Sequence, residues 1–274
     1  MNIIPGNASP ILSSRIAEKT GGRLIEVEYR RFPDGELYVR VKEVPNECVV
    51  VQSINSNDDL VYLILILDAL ENSDVTLVVP YMGYARQDKK FLDGEAVSIR
   101  AVAKILESYA ERIYSVNIHS KDAESWFRKL ENLDAMPLIG EKYKDKDVVM
   151  IAPDKGSLER VKVAAKYAGC DYDYLEKRRI DAETVEIFPK NLEVEGRNVV
   201  IVDDIVSTGG TIVEAVKSLE AKSVEVACVH AVLAGNALNR IYSAGVKKLV
   251  ATDTVEKAVS EITVSPLISE VLRC

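Results

Sequence analysis

Short hydrophobic runs alternate along this chain with stretches whose apolar residues recur at helical spacing. The β-branched runs Val75–Val79 and Val199–Val202 are typical of strands buried on both faces of a sheet. Between such runs, segments such as Asp58–Glu71 and Leu158–Ala168 have the spacing of amphipathic helices. Strands that alternate with helices predict an α/β fold with mainly parallel sheets whose faces are covered by helices.

Turn and cap residues set the expected limits of these elements. Ser9 and Pro10 can start a helix that Gly21 ends. Strands over residues 24–29 and 36–41 are expected to flank a Pro-Asp-Gly turn. Residues 177–180 are expected to form a loop, and residues 184–187 are expected to pair with the segment before Asn198. The pattern predicts two domains, residues 1–141 and 142–274, and the last residues are candidates for packing back on the first domain.

Composition and charge narrow the class of protein. The 274 residues carry a net charge of −8, which disfavours a general nucleic-acid binder. The longest apolar run, Leu60–Leu67, is too short to span a bilayer. Four scattered cysteines lack metal-type spacing, and no signal-like segment is evident at the start. We therefore expect a cytoplasmic protein with neither nucleic-acid nor membrane partners.

An acidic pair and a glycine-rich turn follow one buried strand. Asp203 and Asp204 come directly after Val199–Val202, and the turn Ser207-Thr208-Gly209-Gly210-Thr211 opens the next helical pattern. Such a turn presents backbone N–H groups and the positive end of a helix dipole, which suits a phosphate. Carboxylates can accept hydrogen bonds from sugar hydroxyls or bind Mg²⁺. The segment therefore predicts a site for a phosphorylated sugar; it matches neither a Walker A loop nor the dinucleotide fingerprint.

Three other segments carry candidate chemistry. Residues 32–36, Phe-Pro-Asp-Gly-Glu, form a tight turn. Residues 80–90 leave the end of a buried strand, where open α/β sheets bind ligands, and contain aromatic rings, an arginine and lysines. The cations of Lys177-Arg178-Arg179 could close on charge that develops during group transfer.

These motifs, in this order, resemble the ribose-phosphate pyrophosphokinase family; ordinary type I phosphoribosyltransferases share only the turn at 207–211. The resemblance implies two similar phosphoribosyltransferase-like domains. It implies transfer of the diphosphoryl group of ATP to the 1-hydroxyl of ribose 5-phosphate, giving phosphoribosyl pyrophosphate and AMP for nucleotide biosynthesis. It also implies Mg²⁺ as cofactor and at least a homodimer in which the ATP site is shared across subunits.

The resemblance assigns a role to each matching residue. The ATP contacts it implies are Phe32, Asp34, Gly35, Glu36, Arg86 and Gln87, and the metal ligands are His119 and Asp154. The catalytic cations are Lys177 and Arg179. The ribose 5-phosphate contacts are Arg179, Asp203, Asp204, Ser207, Thr208, Gly209, Gly210 and Thr211. Ser207 and Asn117 stand where the family pattern has aspartate. Lys155 and Ser157 depart from the usual residues of the family's pyrophosphate loop, the loop that contains Asp154.

Other readings stay open at this point. The chain could be a phosphoribosyltransferase that consumes phosphoribosyl pyrophosphate, a catalytically silent regulatory subunit, or a ligand-responsive nucleic-acid regulator on the same fold. His230 is expected to pack in the core, and Trp126 and Phe127 are expected to serve packing rather than base stacking. Asp171 and Asp173 are expected in a solvated loop, and Asp88 to pair with a neighbouring cation.

Overall fold

A computed structural model describes residues 1–179, 185–190 and 192–273, with side chains for all of these except 177–179 and 185–187. The chain divides into two compact units. Unit 1 comprises Met1–Asp134, Thr254–Glu256 and the residues from Thr263 onward, and unit 2 comprises Ala135–Asp253 and Lys257–Ile262. No helix in the described ranges is long and apolar enough to cross a membrane.

Unit 1 is built on a parallel sheet. Its strands and helices, in chain order, are β1 (Asn2–Pro5), α1 (Pro10–Thr20), β2 (Arg23–Leu24), β3 (Val27–Arg31), β4 (Leu37–Val41), β5 (Glu47–Val51), α2 (Asn57–Ala69), β6 (Asp74–Val79), α3 (Ser98–Tyr109), β7 (Arg112–Val116), α4 (Lys121–Ser125) and β8 (Leu130–Leu133). The sheet order is β2-β1-β5-β6-β7-β8, and β3 and β4 form a separate antiparallel hairpin. Val50, Leu77 and Ile113, on adjacent central strands, are fully buried, as the hydrophobic runs require.

Unit 2 has the same plan. Its elements are α5 (Met136–Lys142), β9 (Val149–Ala152), a 3₁₀ turn (Lys155–Ser157), α6 (Leu158–Ala168), β10 (Asp171–Arg179), β11 (Val185–Pro189), β12 (Asn198–Val206), α7 (Gly210–Lys217), β13 (Ser223–Ala231), α8 (Ala237–Ser243), β14 (Lys248–Thr252) and β15 (Ser260–Ile262); α9 (Ser265–Val271) follows in unit 1. The order is β11-β10-β9-β12-β13-β14-β15, parallel except for β10 with β11. The predicted α/β class with mainly parallel, helix-flanked sheets is confirmed.

The predicted cap of the first helix is confirmed in position. Ser9 is the N-cap of α1, Pro10 its first residue, and Gly21 ends it in the left-handed conformation at φ 66°. The Ser9 hydroxyl does not cap its own helix; it accepts a hydrogen bond from the Ser53 N–H at 2.9 Å. The local sequence pattern therefore located the start of the helix correctly, whereas the Ser9 hydroxyl makes a long-range hydrogen bond with Ser53 instead of capping the helix.

Two predictions about the polar segment of unit 2 are wrong. Lys177–Arg179, expected in a loop, belong to β10 and pair in antiparallel register with Val185–Ile187 of β11. The expected pairing of residues 184–187 with the segment before Asn198 is replaced by this hairpin, and Ile180 and Thr184 lie outside the described residues. Backbone pairing across a hairpin satisfies N–H and C=O groups whatever the side chains are, so the charged end of β10 gives no hydrophobic signal.

Asp171 and Asp173 also belong to β10 rather than to a solvated loop. Asp173 is buried and accepts a hydrogen bond from the Leu192 N–H at 3.0 Å. The short elements α4, β8, α5, β15 and α9 have no counterpart in the sequence pattern. Segments of this length hold too few residues for a hydrophobic period to emerge.

Candidate active site

The acidic pair lies inside β12, because the strand continues past the predicted end at Val202 to Val206. The Ser157 hydroxyl donates to Asp203 Oδ1 at 2.8 Å, and the Asp204 N–H donates to the same oxygen at 2.9 Å. Arg160 Nη2 donates to Asp204 Oδ1 at 3.1 Å. The Asp204 side chain is only 4% exposed, so the guanidinium offsets a charge that water barely reaches.

Burial, followed by repulsion from Asp204, raises the pKa of Asp203 to about 7. The hydrogen bond from Ser157 opposes this rise. Two adjacent carboxylates with little solvent tend to share a proton rather than both ionise. Near neutral pH the pair can therefore both accept and donate hydrogen bonds, which suits the hydroxyls of a sugar.

The turn after β12 leads directly into α7. Gly209 is the N-cap at φ 77°, and a Cβ there would lie 2.9 Å from Ile241 Cγ1. Both conditions require glycine. Arg240 Nη2 donates to the Thr208 carbonyl at 2.5 Å and fixes the turn from α8. The turn thus presents Gly210 and Thr211 at the positive end of α7.

Asp154 lies in the loop after β9, the strand next to β12. Its Oδ1 accepts the Ser157 N–H at 3.0 Å and caps the 3₁₀ turn. Unit 2 therefore places three predicted segments together: Asp154, the acidic pair and, after the same strand, the turn at 207–211. The backbone of Lys177 and Arg179 lies in β10, on the other side of β9; their side chains are outside the described residues.

The turn of residues 32–36 is the tip of the β3–β4 hairpin. The Phe32 N–H donates to the Glu36 carbonyl at 2.8 Å and the Gly35 N–H to the Phe32 carbonyl at 2.9 Å. Gly35 has φ 100°, and Asp34 Oδ1 accepts from the Glu36 N–H at 3.3 Å. The Phe32 ring is 49% exposed, although exposed phenylalanine is unfavourable in water. The tip is a rigid turn that presents an aromatic ring and two carboxylates.

A glycine allows the loop after β6 to pack closely against the rest of unit 1. A Cβ on Gly83 would lie 2.3 Å from the Ile54 carbonyl oxygen, so only glycine permits this approach. Further along, Arg86 is exposed, and Gln87 Nε2 donates to the Lys89 carbonyl at 3.0 Å. Both residues thus lie on a constrained loop at the carboxyl edge of the sheet.

The first turn of α2 contacts both the hairpin and this loop. Arg31 forms an ion pair with Asp58, and the Tyr84 hydroxyl donates to Asn57 Oδ1 at 2.5 Å. Because Asp58 and Asn57 are adjacent, the two segments that were predicted to bind ATP are anchored at one place in unit 1.

His119 follows β7 and is half-buried. The next residue, Ser120, caps α4 and donates its hydroxyl to Asp88 Oδ2 at 2.5 Å. Trp126 Nε1 donates to the Asp88 carbonyl at 2.8 Å. Asp88 thus joins Ser120, the residue after His119, to the loop after β6. Contrary to the prediction, no ion pair between Asp88 and a neighbouring cation occurs among the described residues. Phe127 is buried, as its predicted packing role requires, and Trp126, which is 38% exposed, lies under the Arg100 guanidinium.

Asn117 and His230 complete the predicted positions. Asn117 has φ 40°, a conformation that asparagine tolerates better than most residues. Its Nδ2 donates to Asp134 Oδ1 at 2.8 Å, so an aspartate here would face another carboxylate. His230 is 1% exposed within β13, and its predicted place in the core is confirmed.

Comparison with known proteins decides the family. The chain is 62% identical over 273 residues to the protein named ribose-phosphate pyrophosphokinase 2 from Archaeoglobus fulgidus, covering 98% of this chain and 99% of that one. It is 46% identical to ribose-phosphate pyrophosphokinase from Methanosarcina acetivorans, covering 100% and 99%. The chain belongs to the ribose-phosphate pyrophosphokinase family. It is therefore an enzyme, a transferase of nucleotide biosynthesis.

Domain and structural similarity agree with this family. Residues 1–109 match the N-terminal domain of ribose phosphate pyrophosphokinase, and residues 132–262 match the phosphoribosyl transferase domain. The crystal structure of phosphoribosylpyrophosphate synthetase from Mycobacterium smegmatis matches with a TM-score of 0.82 at 31% identity, covering 99% of this chain and 97% of that chain. The predicted family is confirmed along both halves of the chain.

His119 in unit 1 and Asp154 in unit 2, the two residues predicted to bind Mg²⁺, could each do so only together with oxygen ligands from elsewhere. Mg²⁺ prefers oxygen ligands and is commonly held by one or two carboxylates plus substrate phosphates. Asp154 supplies such an oxygen, whereas His119 supplies a nitrogen. Among the described residues no group of three or more His, Cys, Asp or Glu is placed to hold an ion. So sparse a set would leave most of the coordination shell of a bound Mg²⁺ to other oxygen ligands.

Sequence reasoning missed the residues that hold the site in place. Arg160 and Arg240 were not predicted, although each contacts a predicted residue. One signal was available for Arg160: it follows Ser157 by three residues at the start of a helix, which places both side chains on one face. Arg240 gave no signal, because it reaches the turn from a helix more than twenty residues along the chain.

Proposed function

We propose that this enzyme transfers the diphosphoryl group of ATP to the 1-hydroxyl of ribose 5-phosphate, with phosphoribosyl pyrophosphate and AMP as products. One observation carries the proposal: the acidic pair, the glycine turn and the Asp154 loop meet at one sheet edge in a chain 62% identical to a named ribose-phosphate pyrophosphokinase. The hairpin and the loop after β6, which a phosphoribosyltransferase does not need, point to ATP as donor.

Ribose 5-phosphate is assigned to unit 2. Asp203 and Asp204 would accept hydrogen bonds from ribose hydroxyls. The 5-phosphate would lie on the turn, contacting Ser207, Thr208, Gly209, Gly210 and Thr211, where backbone N–H groups and the α7 dipole favour an anion. The left-handed Gly209 keeps the approach open, and the Arg240 contact keeps the turn rigid before the substrate arrives.

ATP is assigned to the hairpin tip and the loop after β6. The exposed ring of Phe32 would stack on the base, with Asp34, Gly35 and Glu36 giving polar contacts to it. Arg86 and Gln87 would contact ATP from the loop. We further propose self-association, at least as a homodimer, with the hairpin tip reaching the ATP of a partner subunit; its projecting, half-exposed Phe32 supports this.

In the proposed reaction, the 1-hydroxyl oxygen attacks the β-phosphorus in line. The new bond joins that oxygen to the β-phosphorus, the bond from the β-phosphorus to the oxygen of AMP breaks, and the hydroxyl proton passes to solvent. Phosphoryl transfer of this kind depends mainly on positioning and charge neutralisation. Lys177 and Arg179 would neutralise charge that develops on the transferred group, and Arg179 would also contact ribose 5-phosphate.

His119 in unit 1 and Asp154 in unit 2 would each serve as a ligand of Mg²⁺, which when bound would neutralise the phosphates of the substrate. Asp154 is preset for this, because its Oδ1 is already fixed by the Ser157 N–H at 3.0 Å. The residue after His119, Ser120, is tied to the loop after β6 by its hydrogen bond to Asp88.

The test is AMP formation from Mg²⁺ and ATP, with and without ribose 5-phosphate, followed by ³¹P NMR of the sugar product. AMP that appears in step with a diphosphate on ribose is the expected result. ADP would mean single-phosphoryl transfer and would contradict the mechanism. Ribose 5-phosphate binding without turnover would favour a silent subunit, and nucleotide formation from phosphoribosyl pyrophosphate and a base would favour a phosphoribosyltransferase.

A further inference from the structure

Ser157 contacts both Asp154, the proposed metal ligand, and the acidic pair of the proposed ribose 5-phosphate site in unit 2. Its N–H donates to Asp154 Oδ1 at 3.0 Å, and its hydroxyl donates to Asp203 Oδ1 at 2.8 Å. Arg160 Nη2 lies 3.5 Å from the same hydroxyl oxygen and 3.1 Å from Asp204 Oδ1. Ser157 is 3% exposed, so its hydroxyl bonds within the protein rather than to bulk water.

We propose that Ser157 is a positioning residue that fixes the carboxylate of Asp203 for a ribose hydroxyl, and that Arg160 does the same for Asp204. This inference rests on the proposed function, since it concerns how the same site recognises ribose 5-phosphate. Neither residue would touch the reacting atoms.

The hydrogen-bond geometry gives the reason. Asp203 Oδ1 receives two donors, the Ser157 hydroxyl and the Asp204 N–H. The backbone donor alone restrains rotation about the Cα–Cβ and Cβ–Cγ bonds less than two donors do. The second donor, from Ser157 in the 3₁₀ turn before α6, fixes the direction of both oxygens. A residue at 157 without a hydroxyl removes the side-chain donor at a place where water has little access.

The Arg160 side chain contacts Asp204 at the expense of one of its own hydrogen bonds. Its Nε is buried and has no hydrogen-bond partner among the described residues, although buried donors are usually paired. The guanidinium therefore gives up one hydrogen bond while it keeps its Nη2 on Asp204. Since Arg160 also contacts the Ser157 hydroxyl, the two residues form one network with the acidic pair.

The pH dependence of ribose 5-phosphate binding reports the titration of the acidic pair. A purely structural role of Ser157 would not change that pH dependence. Among the described residues, Asp203 is approached by Asp204 on β12, by Cys228 on β13 and by Ser157 in the 3₁₀ turn before α6, while Arg160 of α6 contacts Asp204. Burial and then Asp203 itself raise the pKa of the Cys228 thiol, so it stays neutral near pH 7. The Ser157 hydrogen bond lowers the pKa of Asp203, and its removal must raise it.

The experiment compares the full-length enzyme with its Ser157→Ala variant. Ribose 5-phosphate binding is measured by calorimetry from pH 5.5 to 8.5, and KM and kcat are measured at pH 8. We expect the Kd of the variant to rise about ten-fold, as for loss of one hydrogen bond to a charged group. The pH midpoint of binding should move upward, and KM should rise by more than kcat falls.

Ser223→Ala is the matched control. The Ser223 hydroxyl also makes a 2.8 Å hydrogen bond in unit 2, to Asn198 Oδ1, but at the opposite end of β12 and β13. It should leave Kd and the pH midpoint unchanged. Arg160→Lys, which keeps the charge, and Arg160→Met, which removes it, give an independent series: binding should weaken in the order wild type, Lys, Met.

The outcomes separate the two proposals. Wild-type binding with an unchanged Kd and pH midpoint in Ser157→Ala would overturn the positioning role and leave the proposed function standing. If Ser157→Ala does not fold, an Arg160 series with equal affinities overturns the network. A wild-type enzyme that fails to bind ribose 5-phosphate would instead overturn the proposed function and this inference with it.

Discussion

Replacing Asp203 by asparagine should stabilise the protein while it weakens the site. The substitution keeps the size of the side chain and an Oδ1 that can accept hydrogen bonds from the Ser157 hydroxyl and the Asp204 N–H. In the wild-type protein these donors lie 2.8 and 2.9 Å from Asp203 Oδ1. It removes the buried charge, and the new amide can donate to Asp204. The wild-type acidic pair therefore lowers the folding stability of the protein while it serves substrate binding, as is common at active sites.

The size of the effect follows from the pKa of Asp203, which folding raises from the usual 3.8 to about 7. Because the folded protein holds this proton more tightly, the contribution of Asp203 to the free energy of unfolding falls as pH rises from about 4 to 7 and is then constant. Two pH units between 5 and 7 correspond to roughly 3 kcal/mol. Asp204 shares the proton, so the stability advantage of Asp203→Asn should grow by about 1–3 kcal/mol from pH 5 to pH 8.

Urea unfolding of both proteins at pH 5 and pH 8 measures this change, with ribose 5-phosphate titration on the same samples. Asp147→Asn, at an exposed position of the same unit, supplies the baseline pH dependence to subtract. An advantage that stays constant between the two pH values would refute the reasoning, as would an Asp203→Asn variant that is less stable than wild type at pH 8.

Three further substitutions test the proposed roles. Lys177→Ala should lower kcat by about 10²- to 10³-fold while ribose 5-phosphate still binds in calorimetry; an unchanged kcat would remove Lys177 from catalysis. Phe32→Ala should raise the KM for ATP about ten-fold by loss of base stacking with no change in Tm, since the ring is half-exposed; an unaltered KM would argue against stacking. Gly83→Ala should destabilise the protein by about 1–3 kcal/mol in urea, because its Cβ would meet the Ile54 carbonyl at 2.3 Å, and should raise the KM for ATP; wild-type stability would contradict that contact.

Prediction from sequence worked best where one local pattern carried the information. The β-branched run before Asp203, the glycine pair after it and the Pro-Asp-Gly turn at 33–35 each specify backbone geometry within a few residues. The structure has a strand, a helix N-terminus and a hairpin tip at these places. Prediction failed at Lys177–Arg179, where strand pairing with β11 depends on a partner and not on hydropathy.

The sequence by itself determined the α/β class, the family and the kinds of residue at the site, because strand periodicity and short motifs are local properties of the chain. Only the tertiary structure decided how those residues are held. Ser157 meets Asp203 across 46 positions of sequence, and Arg160 meets Asp204 across 44. The raised pKa of Asp203 arises from burial by neighbouring elements. Desolvation and long-range hydrogen bonds exist only once separate strands and helices pack, so no local pattern contains them.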